Sequence, residues 1–330
     1  MAQEPTHPLL SLPDDEIVEK IREMNFGDII EFSLTSEKTK NLIKSAKLQG
    51  TNVKVAVVFE FVVGFEFKHR ERERNFWKFN PDSSEVKITS NNGPKAIRKT
   101  IRRDQFGLED WLEHFETIFN FRVTDFIIFE GSSDEYNPAD VKKYFGVPTE
   151  LTIDKTESYA HNQAILQTFL PVESLSINSN VLENYSKPKI LIQNFKTLRI
   201  DKFLPDQPGV VTLNDLLMTN SKSIDIRSAR MGPKDINKFI KLWQHGANPQ
   251  MVHLNIKCDF EEKEYQETVL KGINYTVLPY NERRSFWLDS KSERHVRYGD
   301  NIWRKDGVKA TIQVEQDGCE MFVWFDHCFG

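Results

Sequence analysis

The stretch "FKTLRID" (residues 195–201) is one of six short segments that decide the fold. The others read VTDFIIF (123–129), PTELTID (148–154), VESLSIN (172–178), SKSIDIR (221–227) and MVHLNIK (251–257). Apolar and polar residues alternate in each segment, which is typical of a β-strand with one buried face. The first apolar positions recur every 23 to 30 residues and are Phe126, Leu151, Leu175, Leu198, Ile224 and Leu254.

Helical segments separate several of these strands. They read LEDWLEHFETIF before the first strand, HNQAILQTFL before the third and PKDINKFIKLWQHG before the last. Strands joined by such crossovers run in one direction and predict a parallel sheet. A strand and a helix every two dozen residues is the layout of leucine-rich repeats, although the full repeat motif is not kept. We therefore predict an α/β fold with a degenerate leucine-rich-repeat-like solenoid. An ordinary α/β domain with irregular crossovers is the alternative.

The regions on both sides of the solenoid predict further β structure. Every second residue from Val53 to Phe67 is apolar, which indicates strands, and Gly64 is expected to mark a turn within the run. Near the C-terminus, Asp306-Gly307 and Asp317-Gly318 each separate strand-like runs and favour hairpins. The predicted organisation is a helical module at 1–50, a β-rich segment at 51–104, the solenoid at 105–257 and an antiparallel β cap at 258–330.

The helical module is short. Ile17, Ile21 and Met24 share one helix face, FGDIIEFSL predicts a second helix with Gly27 as a break, and SEKTKNLIKSAK predicts a third. Three helices of this length bury too little apolar surface for comfortable independent stability. The module is therefore expected either to dock on the following domain or to need a partner.

Composition excludes several classes of protein. The formal net charge of −5 argues against general nucleic-acid binding, which needs a clustered positive excess. Three widely spaced cysteines fit a reducing compartment. The first residues, MAQEPTHP, do not resemble a secretory signal, and the longest apolar run is about half of a membrane span. These features predict a protein of the cytoplasm or nucleus that does not bind membranes.

The sequence predicts binding rather than catalysis. It contains no nucleotide-binding glycine motif, nucleophile elbow or zinc-protease motif, so we expect no enzyme activity, cofactor or metal. In the repeated strands the polar residues point away from the helices, onto the concave face of the predicted solenoid. The candidate substrate-binding residues on that face are Thr152, Ser176, Arg199, Asp225 and Asn255. A solvated face without a ligand is the alternative.

Two segments resemble one known family. LLSLPDDEIVEKIREMNFGDIIEFSLTSEKTKNLIKS (9–45) resembles the F-box, with its Leu-Pro start and spaced isoleucines. SARMGPKDINKFIKLWQHGANPQMVHLNIK (228–257), followed by VLKGINY (269–275), looks like the type 2 F-box-associated domain of the expanded nematode F-box proteins. This second resemblance covers about residues 195 to 275.

The resemblance implies the substrate-recognition subunit of an SCF (Skp, cullin, F-box) ubiquitin ligase. Its F-box would dock on a Skp-type adaptor, and through it on a cullin, while the rest of the chain would bind a protein substrate. Carried over by position, the residues that face the adaptor or the small core beneath it are Leu12, Pro13, Ile17, Ile21, Ile29, Leu34 and Leu42.

Two alternatives stay open. In the first, the chain is an interaction scaffold without a ligase role, and the N-terminal helices pack on the Val53–Phe67 sheet. In the second, an arginine face made by Arg70, Arg72 and Arg74, with Arg98, Arg102 and Arg103 nearby in sequence, binds a phosphopeptide or RNA.

Overall fold

The computed structural model describes residues 8–67, 70–80, 83–91, 96–120, 124–183, 187–258, 265–279, 283–289 and 292–328. The chain divides into two compact units. The first contains residues 1–152 and 164–170, and the second contains 153–163 and 171–330. Strand β7 (Glu150–Asp154) and one helix (Tyr159–Phe169) are therefore shared between them. The fold is mixed α/β, as predicted.

The first unit begins with three short helices, α1 (Asp14–Glu23), α2 (Phe26–Ser33) and α3 (Glu37–Ser45). Helices α2 and α3 each begin at a residue whose side chain caps the first turn. The Asn25 amide oxygen accepts from the Asp28 N–H at 3.0 Å, and the Ser36 hydroxyl accepts from the Thr39 N–H at 3.2 Å. Such caps satisfy backbone donors that the first turn leaves free. Gly27, predicted as a break, instead lies inside α2, because Asn25 sets the boundary.

An antiparallel sheet follows the helices. Its strands are β1 (Gly50–Val57), β2 (Phe61–Phe67), β3 (Arg70–Phe79), β4 (Glu85–Asn91) and β5 (Ala96–Arg102). After α4 (Leu108–Phe119), strand β6 (Phe126–Glu130) pairs with β1 in parallel, which gives the order β6-β1-β2-β3-β4-β5. Helix α5 (Pro138–Phe145) follows β6.

The reversal between β1 and β2 lies at residues 58–60, so the prediction of a turn at Gly64 was wrong. Gly64 is in the middle of β2 and pairs with Phe76 of β3. A Cβ atom at position 64 would lie 2.9 Å from two atoms of the Phe76 ring. The glycine is therefore required by the close approach of that ring rather than by a change of direction.

Aromatic rings fill the core of the first unit. The Phe26 ring of α2 lies 5.0 Å from Phe65 and 5.2 Å from Phe119, measured between centroids. Trp77 lies 4.3 Å from Phe115 of α4. All five rings are almost fully buried, so α2 and α4 cover the same face of the sheet. Burial of each such ring stabilises the fold by about 1.5–3 kcal/mol.

The second unit is built on parallel strands. Its members are β8 (Ser174–Asn178), β9 (Thr197–Asp201), β10 (Ser223–Ile226) and β11 (His253–Lys257), and each pairs in parallel with the next. The helices of this stretch are α6 (Tyr159–Phe169), α7 (Asn180–Glu183), α8 (Lys187–Leu191), α9 (Leu213–Met218), α10 (Pro233–Gln244) and α11 (Tyr265–Leu270). The parallel pairing predicted from the repeated strands is confirmed here.

Antiparallel strands complete the second unit, as predicted. They are β12 (Thr276–Val277), β13 (Arg284–Asp289), β14 (Ser292–Val296), β15 (Asp300–Trp303), β16 (Lys309–Glu315) and β17 (Gly318–Trp324). β17 pairs with β11, and the order continues through β16 and β15 to β12. Asp306-Gly307 joins β15 to β16, and Asp317-Gly318 lies at the turn into β17. The separate hairpin β13–β14 packs through Phe286 on Phe322 and Trp324.

All six repeated segments are strands, but one has a different register from the prediction. In β6 the buried residues are Ile127 and Phe129, whereas Phe126 is only half-buried and lies on the opposite face. The run FIIF is apolar at every position, so alternation could not decide which pair faces the core. Within the described part of the chain, no helix is both long and apolar enough to span a membrane.

A buried histidine joins α4 to the N-terminal helices. His114 Nε2 lies 2.7 Å from the Ser33 hydroxyl, which itself donates to the Ile30 carbonyl. The hydroxyl therefore accepts, and Nε2 carries the proton. Burial, together with the charges of Lys40 and Arg103, lowers the pKa of His114 to about 4.

This histidine should make the stability of the fold depend on pH. Between about pH 6.5 and pH 4, His114 is protonated in the unfolded chain but stays neutral in the folded chain. The free energy of unfolding therefore decreases as the pH falls from about 6.5 to about 4. We expect urea unfolding of the wild type to lose about 2 kcal/mol more between about pH 7.5 and pH 5 than that of His114→Gln. Glutamine can still donate to Ser33 and does not titrate. Equal losses in the two proteins would contradict this role.

Candidate functional site

The structure separates the seven predicted adaptor residues into two groups. Ile17, Ile21 and Ile29 have no exposed surface, and Leu42 is 6% exposed. These four belong to the core of this chain, which is one of the two positions that the resemblance allows. Leu12 and Leu34 are half-buried and Pro13 is exposed, so these three remain available to a partner.

The N-terminal helices are held against the sheet of the first unit. Phe26 inserts between the rings of Phe65 and Phe119, and Lys99 of β5 forms an ion pair with Glu31 of α2 at 2.7 Å. Lys99 also pairs with Asp28. Packing on this sheet is what the scaffold alternative predicts. The isoleucines of α1 and α2 (Ile17, Ile21 and Ile29) are buried within this chain.

Four of the five predicted substrate-binding residues form one row in the second unit. Ser176 pairs with Arg199, Arg199 with Asp225, and Asp225 with Asn255. The row continues beyond the repeated strands, because Asn255 pairs with Glu320. The fifth residue, Thr152, belongs to the first unit, where it is half-buried on β7.

Asp225 is the centre of a network of charges and hydrogen bonds. Its carboxylate accepts from Arg199 at 2.7 and 2.9 Å and from the Asn255 amide at 2.9 Å. Arg227 approaches both Asp225 and Asp201 at 3.5 Å. Partial burial raises the pKa of Asp201 from its ordinary value against the opposing effect of Arg199 and Arg227. The row is therefore a set of fixed, nearly neutralised charges.

A second group closes the row at β17. Glu320 accepts from His253 Nε2 at 2.8 Å and from Arg294 of the β13–β14 hairpin at 2.9 Å. Burial favours the neutral acid, but the hydrogen bond from His253 and the charges of His253 and Arg294 outweigh it and lower the pKa of Glu320. The sequence reasoning missed Glu320 and Arg294. Alternation in GCEMFVW could have placed Glu320 on this face, but nothing local indicates its pairing with β11.

This arrangement can recognise polar groups of a partner. Arg199 and Asn255 are each half-exposed at the surface of the row, where they offer hydrogen-bond donors to a partner. Among the residues that the structure describes, no group of three or more histidine, cysteine, aspartate or glutamate side chains could hold a metal ion. A fixed polar surface of this kind fits a folded protein or peptide better than a small molecule, which needs a concave apolar pocket.

The same strands contain the segment that matches a known family. Residues 187–256, from α8 to the penultimate residue of β11, match the family model described as F-box associated. The segment is therefore similar to F-box associated domains. It contributes three of the four residues of the polar row, namely Arg199, Asp225 and Asn255. The predicted resemblance is thereby confirmed; the match begins eight residues before the predicted start at 195 and ends at 256, short of the predicted end at about 275.

One curated relative extends the likeness to most of the chain. F-box associated domain-containing protein sdz-33 of Caenorhabditis elegans is 24% identical over an alignment of 319 positions, which covers 92% of this chain and 93% of the relative. No solved structure matches the chain. The similarity therefore extends well beyond the segment that matches the family model.

The network at Asp225 generates a prediction about stability. Asp225→Ala removes the buried acceptor shared by Arg199 and Asn255 and leaves their half-buried donors without this partner. We expect it to reduce the free energy of unfolding by about 2–3 kcal/mol, measured by urea denaturation. Asp201→Ala is the matched control, because Asp201 is more exposed and its ion pairs are at 3.5 and 4.0 Å. Its loss should be about 1 kcal/mol or less. Equal losses would mean that Asp225 is not the centre of the network.

Proposed function

We propose that this protein is the substrate-recognition subunit of an SCF-type ubiquitin ligase. The observation that carries the proposal is the match to the F-box associated family at 187–256, in a chain whose first helices have the Leu-Pro start and isoleucine spacing of an F-box. Its role would be non-catalytic: to hold a protein substrate beside a Skp-type adaptor and, through it, a cullin. We place this activity in the cytoplasm or nucleus.

The proposed adaptor surface is smaller than the sequence alone suggested. Leu12, Pro13 and Leu34 would make contact, together with the half-buried Leu9 and Leu10 that precede them. The buried isoleucines of α1 and α2 would support that surface from beneath. Fixing the helices before binding reduces the ordering that the interface must otherwise supply.

We further propose that the polar row of the second unit receives the substrate. Ser176, Arg199, Asp225 and Asn255 would lie under the partner, with Thr152 as a fifth candidate. The parallel strands β8 to β11, each joined to the next through helical segments, support a leucine-rich-repeat-like interpretation of this region. Such stacks offer extended surfaces for proteins.

Adaptor binding can be tested with a matched pair of variants. Leu12→Ala with Pro13→Ala should weaken co-purification of the full chain with a Skp-type adaptor by about tenfold or more, since a few exposed anchors dominate most interfaces. The chain contains a second Leu-Pro-Asp sequence, at Leu204-Pro205, which is also exposed. Leu204→Ala with Pro205→Ala is therefore the control and should bind as the wild type does.

Point variants are preferable to deletion of the N-terminal helices. Removing residues 1–49 would expose Phe65, Trp77 and Phe119, so loss of binding could reflect misfolding. If the full chain is stable and monodisperse but does not bind the adaptor, the ligase proposal fails. The scaffold alternative then takes its place, and the packing of Phe26 on the sheet is the observation that favours it.

A further inference from the structure

The sheet of the first unit has an open face on which apolar side chains lie among charged and polar ones. The helices α2 and α4 cover one face, and the other carries alternate residues that are normally hydrophilic in an antiparallel sheet. Here the central strands present half-buried apolar side chains instead. Pairing across the strands joins them into a continuous apolar floor formed by Ala56, Val62, Phe76, Phe126 and Ile128.

This floor lies in two adjoining depressions. One has a volume of about 300 Å³ and extends over β6, β1 and β2, and the other has a volume of about 570 Å³ and extends over β3, β4 and β5. Both are lined by Val62 and Phe76, so they form one groove across the sheet. The Phe76 ring rests over Gly64, where any side chain would meet it. An exposed apolar groove of this kind marks a binding surface more often than a solvated face.

The margin of the groove is positively charged. Lys87 and Arg98 line its β4–β5 end and Lys54 lies on β1 at the other end; all three are exposed. Within the described ranges, none of the three forms an ion pair. The protein as a whole is acidic, with a formal net charge of −5, so this cluster is a local exception. It is complementary to an acidic partner.

The groove already binds carboxylates of its own chain. Glu60 pairs with Lys78 at 2.9 Å beside the floor, and Glu66 accepts from the Asn52 amide at 2.8 Å. The floor holds two aromatic rings, Phe76 and Phe126, among aliphatic side chains, and Glu66 lines the groove beside it. In a peptide the carboxylates can be spaced so that they meet the basic margin while apolar side chains lie over the floor, whereas every nucleotide of a nucleic acid carries a phosphate. The chemistry therefore favours a peptide over a nucleic acid.

We infer that the open face of the β1–β6 sheet binds an acidic, extended protein segment whose apolar side chains enter the groove over Val62 and Phe76. The basic margin attracts the carboxylates of the segment, and the floor buries its apolar residues. This surface lies outside the matched segment at 187–256, and the inference does not rest on the proposed adaptor binding. The surface includes Arg98, which the predicted arginine face also contains. Of that face, the side chains of Arg70 and Arg72 lie outside the described residues, and the exposed Arg74 lies opposite Glu66.

The inference can be tested by fluorescence anisotropy with the full chain. The probe is a fluorescein-labelled peptide of glutamates and aspartates that carries two leucines separated by one glutamate. We expect saturable binding that Lys87→Glu with Arg98→Glu weakens by about tenfold. Lys222→Glu with Lys234→Glu makes the same charge change at exposed positions of the second unit and should alter binding by less than about twofold.

A second pair of variants tests the apolar floor. Phe76→Ala should weaken binding by about tenfold, and Val62→Thr, which keeps the shape of the side chain, by about threefold. Circular-dichroism melting of each variant identifies any loss of folding, and Val62→Thr alone decides the point if Phe76→Ala unfolds. Absence of saturable binding, equal loss in both charge-reversal pairs, or wild-type binding by Val62→Thr and Phe76→Ala would overturn the inference. Tighter binding of a single-stranded RNA, lost in the same variants, would also overturn it.

Discussion

The insertion of Phe26 into the aromatic core is the contact on which the first unit depends. Its ring meets Phe65, Phe67, Trp77 and Phe119, so one side chain of a short helix joins two strands and a second helix. Helices of eight to ten residues are unstable alone in water, since nucleation is unfavourable and few hydrogen bonds repay it. The three N-terminal helices therefore exist as ordered elements because the sheet provides the apolar surface that they lack. The isoleucines of α1 and α2 are fully buried in the resulting assembly of helices and sheet.

In the second unit, ion pairs and hydrogen bonds keep a charged face ordered. Arg199, Asp225 and Arg227 alternate in sign around the row, and Asn255 fills the remaining acceptor site of Asp225. Each exposed ion pair contributes little alone, but a shared acceptor couples them, so moving one residue disturbs the others. A surface with its side chains fixed in this way is specific before a partner arrives, because the hydrogen-bonding groups have defined positions.

Much of this structure was predictable from sequence, and the failures have identifiable causes. Alternation located all six repeated strands, and their spacing gave the parallel pairing of β8 to β11, because both depend on local periodicity. The predicted turn at Gly64 failed because glycine serves tight packing as well as turns, and only the neighbouring strand shows which applies. The register of β6 failed because FIIF has no polar residue to distinguish its faces. Similarly, the polar row was predicted as far as Asn255. Glu320 was missed because it joins the row through the antiparallel pairing of β17 with β11, which are far apart in sequence.

The adaptor residues illustrate a more general limit. A positional match to a family assigns the same residues to an interface and to the core beneath it, since both are apolar and recur with one helical period. Burial separates them: Ile17, Ile21, Ile29 and Leu42 are inside, and Leu12, Pro13 and Leu34 are accessible. Helical periodicity alone does not distinguish the two sets, because burial depends on how the three helices pack on each other and, through Phe26 and Lys99, on the sheet.

The glycine beneath Phe76 has an evolutionary consequence. Because a single Cβ at position 64 would collide with the ring, any mutation there must lift Phe76 or turn it to another rotamer. Either movement would reshape the groove without altering the strands, the core or the charged margin. A substitution at this single position would thus change the shape of the whole groove surface. Selection on what binds there could proceed through that position while the hydrophobic interior, on the far side of the sheet, stays unchanged.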